Sequence, residues 1–201
     1  MKALLVLNGD NNVALPNSER YDFVVCADGA YENARHQLKK IDYVVGDFDS
    51  LKYEPKDVKI MKLVPEKDFT DGEIALQLIL DNHATEIDIY WATGFRVDHF
   101  LGNLTLLKRA KEHNVNAKII SNLETITFEN GYCELRGVLG KTVSLFPFSN
   151  DLHIISSSGL KYQTNDLTLS HNEARGISNV ALDDVVKINA DRGDYLVLIS
   201  E

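Results

Sequence analysis

The feature that most constrains this 201-residue chain is a change of rhythm near Ser121-Asn122. Upstream, short apolar runs alternate with helix-length patterns. The strand candidates are 4–7, 23–26, 43–45, 60–63, 87–90 and 118–120. They are rich in Val, Ile and Tyr and mostly continuous in apolar character, as strands covered on both faces are. Between them lie helix candidates at 31–39, 71–82 and 99–112. Ile74, Ala75, Leu78 and Ile79 form one stripe in the second, and Leu101, Leu104, Leu107 and Ala110 do so in the third. Thr70 with Glu73 has the spacing of a capping box. Strands alternating with helices predict an α/β domain with a doubly wound, mostly parallel sheet over residues 1–122.

Downstream, no long helical period remains. Strand-like runs at 125–128, 132–135, 142–146, 152–155, 167–169, 185–188 and 195–199 are punctuated by Asn130-Gly131, Ser158-Gly159 and Arg192-Gly193-Asp194. This spacing predicts a small all-β sandwich over residues 123–201.

The net charge of −9, from 30 acidic and 21 basic residues, argues against nucleic acid, whose binding leans on clustered Lys and Arg. A nucleotide remains compatible, because a bound cation reconciles phosphates with carboxylates. No stretch approaches the roughly 20 apolar residues of a membrane span. Met1-Lys2 leads into an apolar run too short for a secretion signal. Cys26 and Cys133 are far apart and embedded in apolar runs, so neither a disulfide framework nor a thiolate metal site is expected. The expected setting is the cytoplasm.

Three acidic segments follow apolar runs in the first half. They are Gly46-Asp47-Phe48-Asp49-Ser50, Lys67-Asp68-Phe69-Thr70-Asp71 and Gly94-Phe95-Arg96-Val97-Asp98-His99. Extended backbone would point Asp47 and Asp49 the same way. Two carboxylates held together repel unless a cation lies between them, and few, fixed oxygen ligands suit Mg²⁺ that phosphates also hold. Asn8-Gly9-Asp10 and Ala27-Asp28-Gly29 close two other strand candidates. Ligands of open α/β sheets bind beyond the strands' carboxyl ends. For any one such loop, plain turn chemistry is the better explanation of Asp, Gly and Asn; for the whole set at one edge it is the weaker explanation. Asp71 at a helix start is stabilised by the dipole with or without a ligand. Backbone N–H groups of that turn are placed to hold a phosphate. Lys67 before it suits a point charge aimed at phosphate oxygens. His99 and Trp91 read as structural.

In this order, the segments closely resemble the thiamine pyrophosphokinase family. Its pattern runs through Ala-Asp-Gly, Gly-Asp-x-Asp-Ser, Lys-Asp-x-Thr-Asp and Gly-x-Arg-x-Asp-His-x-x-x-Asn. The matching residues here include Asp28, Asp47, Asp49, Ser50, Lys67, Thr70, Asp71, Arg96, Asp98 and Asn103. Later Gly-Leu-Lys-aromatic and Gly-x-Ser-Asn elements appear at Gly159-Leu160-Lys161-Tyr162 and Gly176-Ile177-Ser178-Asn179. Phe95 departs from the pattern, standing where a second glycine is common.

The resemblance implies pyrophosphoryl transfer from ATP to thiamine, with Mg²⁺ as cofactor and a homodimer whose thiamine sites lie at the subunit interface. It implies Asp47, Asp49 and Asp71 as Mg²⁺ ligands. Asp28, Ser50, Lys67, Thr70, Arg96, Asp98 and Asn103 would line the nucleotide and reacting phosphates. Thiamine would meet Asp71, Tyr162, Ser178 and Asn179. Asp71 or Asp98 would accept the hydroxyl proton. The rivals are a pyrophosphokinase acting on another alcohol such as a hydroxymethylpterin, an Asp-x-Asp phosphatase, a glycosyltransferase, and a non-catalytic ATP- or thiamine-binding module.

Overall fold

The computed structural model describes residues 1–49, 51–64, 68–94 and 96–200. The chain divides into two compact units, Met1–Asn122 and Leu123–Glu201. The first contains β1 (Lys2–Val6), β2 (Phe23–Ala27), α1 (Ala30–Ala34), β3 (Tyr43–Gly46), β4 (Lys59–Lys62), α2 (Asp71–Asp81), β5 (Glu86–Tyr90), α3 (Val97–Glu112) and β6 (Asn116–Ile120). Every strand pairing here is parallel, in the order β6-β5-β1-β2-β3-β4. The chain builds outward from β1 to β4, then returns to the other side of β1 with β5. That reversal opens a crevice at the carboxyl ends of β1 and β5, where doubly wound sheets bind ligands.

Leu4, Val6, Val24, Cys26 and Val44 pack with Ala30, Tyr31 and Ala34 of α1 in one core. Their alternating neighbours Ala3, Leu5, Val25 and Val45 are buried too, so both faces of the sheet are covered and the strands are apolar throughout. Helix α2 carries the expected capping box: Glu73 N–H donates to Thr70 Oγ1 (3.2 Å) and Thr70 N–H to Glu73 Oε2 (2.8 Å). Its buried stripe differs from the expected one. Gly72, Ala75, Leu76, Ile79 and Leu80 face inward, while Ile74 and Leu78 lie on the flank. Gly72 comes close to Leu7 and Leu106, and this turns the stripe. In α3, Leu104, Leu106, Leu107 and Ala110 are buried, whereas Leu101 is exposed near the helix start. Helix α1 is shorter than its pattern. Beyond it, the Lys39 and Lys40 N–H groups both donate to Ser18 Oγ (3.1 Å each), drawing the chain off the helical path.

The second unit comprises β7 (Glu124–Arg136), β8 (Thr142–Pro147), β9 (Leu152–Ser158), β10 (Leu167–Leu169), β11 (Asn179–Val180) and β12 (Val185–Ser200). All its pairings are antiparallel. Where the sequence suggests turns at Asn130-Gly131 and Arg192-Gly193-Asp194, the structure instead has two long strands, β7 and β12, running through a bulge. Their register shifts between Asn189 and Asp194. A bulge places several residues opposite one and bends the strand without ending it. Gly193 takes φ +89°, and a Cβ there would lie 2.5 Å from Asp151 O. Bent there, β12 pairs with β9 along its first half and with β8 along its second. Side chains from both halves, among them Ile188, Tyr195, Val197, Leu145 and Ile154, close over one core.

Cys26 and Cys133 are both buried, and no disulfide joins them. Among the described residues, no helix is long and apolar enough to cross a membrane.

Candidate active site

At the carboxyl ends of the parallel strands lies a pocket of about 730 Å³. Asn8 and Gly9 beyond β1, Asp28 beyond β2, Asp47 and Asp49 beyond β3, the first turn of α2, Ala92 to Gly94 beyond β5, and Arg96, Asp98 and Asn103 at the start of α3 all line it. The strand order makes this convergence, since β1, β2 and β3 are successive neighbours. Glycine permits the closest approach. A Cβ on Gly46 would fall 2.7 Å from the Asp28 Cβ, so the tips of β2 and β3 touch only because residue 46 has none.

Asp47 and Asp49 do converge, though not by strand alternation. Strand β3 ends at Gly46, and Phe48 between the two aspartates adopts the left-handed φ of +64°. The Phe48 ring is buried in the core, and Asp49 N–H donates to Asp47 Oδ1 (3.2 Å), closing an Asx-type turn. Carboxylate oxygens of Asp28, Asp47 and Asp49 all lie within 4.8 Å of one another. Asp28 is only 5% exposed, sits at φ +38°, and anchors its backbone through N–H donation to Val45 O (2.8 Å). Its Oδ1 is buried without a hydrogen-bond partner. Leaving a buried acceptor unpaired costs about 1–3 kcal/mol. A cation among the three carboxylates removes that cost and the mutual repulsion together. The donor set therefore fits a hard divalent ion, with oxygen ligands only.

Asp71 occupies the first position of α2 on the same pocket wall, outside that group of three. Thr70 caps the helix beside it. Arg96 precedes α3 and clasps Asp98 with two hydrogen bonds, Nε to Oδ1 (3.2 Å) and Nη2 to Oδ2 (2.6 Å). The Arg96 guanidinium holds the Asp98 carboxyl down to about 2. Asn103 donates from Nδ2 to Ala92 O (2.8 Å), tying α3 to the loop beyond β5. Ser50, Lys67 and Phe95 lie outside the described residues. His99, expected to be structural, is exposed on the pocket wall. Trp91 is buried, its Nε1 donating to Val13 O (2.8 Å). Thr93 and Phe100 also line the pocket and carried no signal in the sequence. Asp28's place among the grouped carboxylates was readable: it follows β2 as Asp47 follows β3, and parallel neighbours end side by side.

In the second unit, Tyr162 is 62% exposed, with Lys161 Nζ 5.4 Å from its ring centroid. Ser178 is exposed at φ +60°, its N–H donating to Ser144 Oγ (2.9 Å). Asn179 is buried between these two segments.

Residues 17–119 match the family model described as thiamin pyrophosphokinase, catalytic domain, and residues 124–194 match that of the thiamin pyrophosphokinase, vitamin B1 binding domain. The chain belongs to the thiamin pyrophosphokinase family. A thiamine pyrophosphokinase of Bacillus subtilis (strain 168) is 34% identical over 143 residues, spanning 67% of this chain and 66% of that relative's length. The crystal structure of a thiamine pyrophosphokinase from Bacillus subtilis superposes with a TM-score of 0.86 at 24% identity, covering 100% of this chain and 99% of the other. A thiamin pyrophosphokinase family protein from Enterococcus faecalis superposes at 0.85 with 20% identity, covering 100% and 99%. At these identities the superpositions speak for the fold.

Proposed function

We propose that this protein is a thiamine diphosphokinase that transfers the pyrophosphoryl group of Mg·ATP to the hydroxyethyl oxygen of thiamine, giving thiamine diphosphate and AMP. The observation that carries the reading is the group Asp28, Asp47 and Asp49 at the sheet's reversal point, with a buried unpartnered oxygen on Asp28. Residues 1–122 would form the ATP-binding catalytic domain and residues 123–201 the thiamine-binding domain.

Asp47 and Asp49 would hold Mg²⁺ with Asp28 as a third carboxylate. Asp71, a ligand by family resemblance, is better placed to address the substrates. The three carboxylates would hold the ion beside the phosphates, where it would supply charge neutralisation. The first turn of α2 lines the pocket, and a helix start of this kind suits a phosphate. Arg96 and Lys67 supply positive charge to the departing AMP and the β-phosphate, and Ser50, Thr70 and Asn103 shape the nucleotide side. Positioning and neutralisation of this kind are most of what phosphoryl-type transfer requires.

In the reaction, the thiamine hydroxyl oxygen bonds to the β-phosphorus. The bond from that phosphorus to the oxygen bridging the α-phosphate breaks, and AMP leaves with the electron pair. A base must take the hydroxyl proton. Asp98 suits this poorly, because Arg96 holds its carboxyl at about 2, far from neutral operating pH. Asp71 is our choice.

Thiamine carries a cationic ring, which an aromatic face attracts. Tyr162 would offer that face and Ser178 would meet the pyrimidine, reaching the site of the partner subunit in a cytoplasmic homodimer. The test is product analysis after incubation with Mg·ATP and either thiamine or a hydroxymethylpterin. Thiamine diphosphate with AMP is the expected result. AMP release with the pterin alone would name a different acceptor, and ADP would make the enzyme a simple kinase.

A further inference from the structure

Tyr162 and Ser178 are 16 positions apart in sequence, and both project from short segments with little regular structure of their own. The structure places one buried side chain between them. Asn179 is 8% exposed. Its Oδ1 accepts from Tyr162 N–H (3.0 Å) and from Val180 N–H (2.9 Å), and its Nδ2 donates to Tyr162 O (2.7 Å). These partners fix the amide's orientation, since the oxygen faces two N–H groups and the nitrogen faces a carbonyl. Three of its four hydrogen-bonding positions are spent on backbone.

The surrounding backbone supports this joint. Lys161 N–H donates to Val180 O (2.8 Å), and Leu160 bridges Ala181. Asn179 pairs with Val143 of β8, and the preceding Ser178 is held at its left-handed φ with its N–H on Ser144 Oγ. A non-glycine residue persists at such a φ only where its surroundings over-determine it.

We infer that Asn179 is a positioning residue: it does not contact thiamine but clamps the Tyr162 backbone on both sides, so that the exposed ring and Ser178 are presented together. The inference rests on the proposed roles of Tyr162 and Ser178. It differs from the family-based expectation, which counts Asn179 among the thiamine contacts.

Steady-state kinetics test it, with thiamine and Mg·ATP varied separately. Asn179→Ala should raise the thiamine KM about tenfold, the scale of a lost buried hydrogen-bond partner. Its kcat and Mg·ATP KM should stay within about twofold, since nothing at the catalytic pocket is touched. In a Tyr162→Ala background the same substitution should add less than about twofold, because two residues acting through one contact are coupled. If Asn179→Ala folds poorly, Asn179→Ser keeps a small neutral hydrogen-bonding group beside the two N–H groups and gives up the amide's donation to Tyr162 O. It should raise the thiamine KM less than Tyr162→Ala does, and again not in the Tyr162→Ala background. An unchanged thiamine KM in a folded Asn179 variant would overturn the inference, as would an undiminished effect in the Tyr162→Ala background. An unchanged thiamine KM in Tyr162→Ala alone would instead remove the aromatic role on which the inference stands.

Discussion

In the parallel unit, the candidate carboxylates sit at the tips of neighbouring strands: strand order sets Asp28 beside Asp47, and the left-handed turn at Phe48 brings Asp49 to join them. In the β unit no strand order brings Tyr162 next to Ser178; a short two-residue strand and one buried amide do it. The contrast concerns where rigidity comes from. A doubly wound sheet builds a site as a by-product of its topology. An antiparallel fold of bent strands holds its loops residue by residue. Damage should therefore differ in kind: in the parallel unit it strikes the chemistry, and in the β unit it strikes recognition of the acceptor.

The largest expected effect is in the parallel unit. Asp47→Asn should lower kcat by about 10³-fold, the scale of losing a preorganised electrostatic element, while the melting temperature and thiamine binding survive. AMP release near the wild-type rate by the folded variant would break the contrast at its strongest point.

Tyr162→Ala comes next. It should raise the thiamine KM by about tenfold, within the range of a desolvated cation–π contact, and leave the Mg·ATP KM unchanged. A fall in kcat with no change in the thiamine KM would assign the β unit a part in the chemistry.

Asp98 gives a smaller and sharper test. Arg96 lowers its carboxyl to about 2. A depressed carboxyl keeps its pairing above the ordinary carboxylate range and loses it only as pH falls through the depressed value. The pair is thus intact across the pH range in which the enzyme would work. Asp98→Asn should reduce the rate yet leave the midpoint of any acid limb of kcat/KM in place. A displaced midpoint would identify Asp98 as the titrating base after all.

The smallest effect belongs to the β unit. His153 lies between Asp191 (Nδ1 to Oδ1, 2.6 Å) and Asp166 (Nε2 to Oδ1, 3.3 Å), and hydrogen bonding to Asp191 above all raises its pKa. A raised imidazole stabilises below its ordinary value and loses that contribution as pH climbs through the raised one. Thermal melts from about pH 6 to about pH 9 should therefore lose roughly 1–2 °C that His153→Gln does not lose, as befits an exposed pair. Identical slopes in the two proteins would remove the pair from the account.

Much of the parallel unit was legible because its signals are local. Continuous apolar strands, a Thr-x-x-Glu cap and acidic tips after strands each follow from a few adjacent residues. What stayed hidden depended on contacts distant in sequence. The α2 stripe turned toward Gly72 because Leu7 and Leu106 lie there. Phe48, which breaks the supposed alternation of Asp47 and Asp49, takes a left-handed φ that its own residue type does not announce. In the β unit, Asn130-Gly131 and Arg192-Gly193-Asp194 read as turns because glycine signals a turn and a bulge alike. Only their pairing across β7 and β12 distinguishes the two. Asn179 was visible as a motif residue, but a side chain that serves backbone cannot be told from one that serves a ligand until its partners are in place.

The proposed chemistry needs a cation among the carboxylates at the reversal point of the parallel sheet. Its most direct test is anomalous diffraction from crystals grown with Mn²⁺ and a non-hydrolysable ATP analogue. The expected result is a Mn²⁺ peak bounded by the carboxylates of Asp28, Asp47 and Asp49, with the analogue phosphates beside it. Mn²⁺ bound to the analogue and touching none of these three would contradict it.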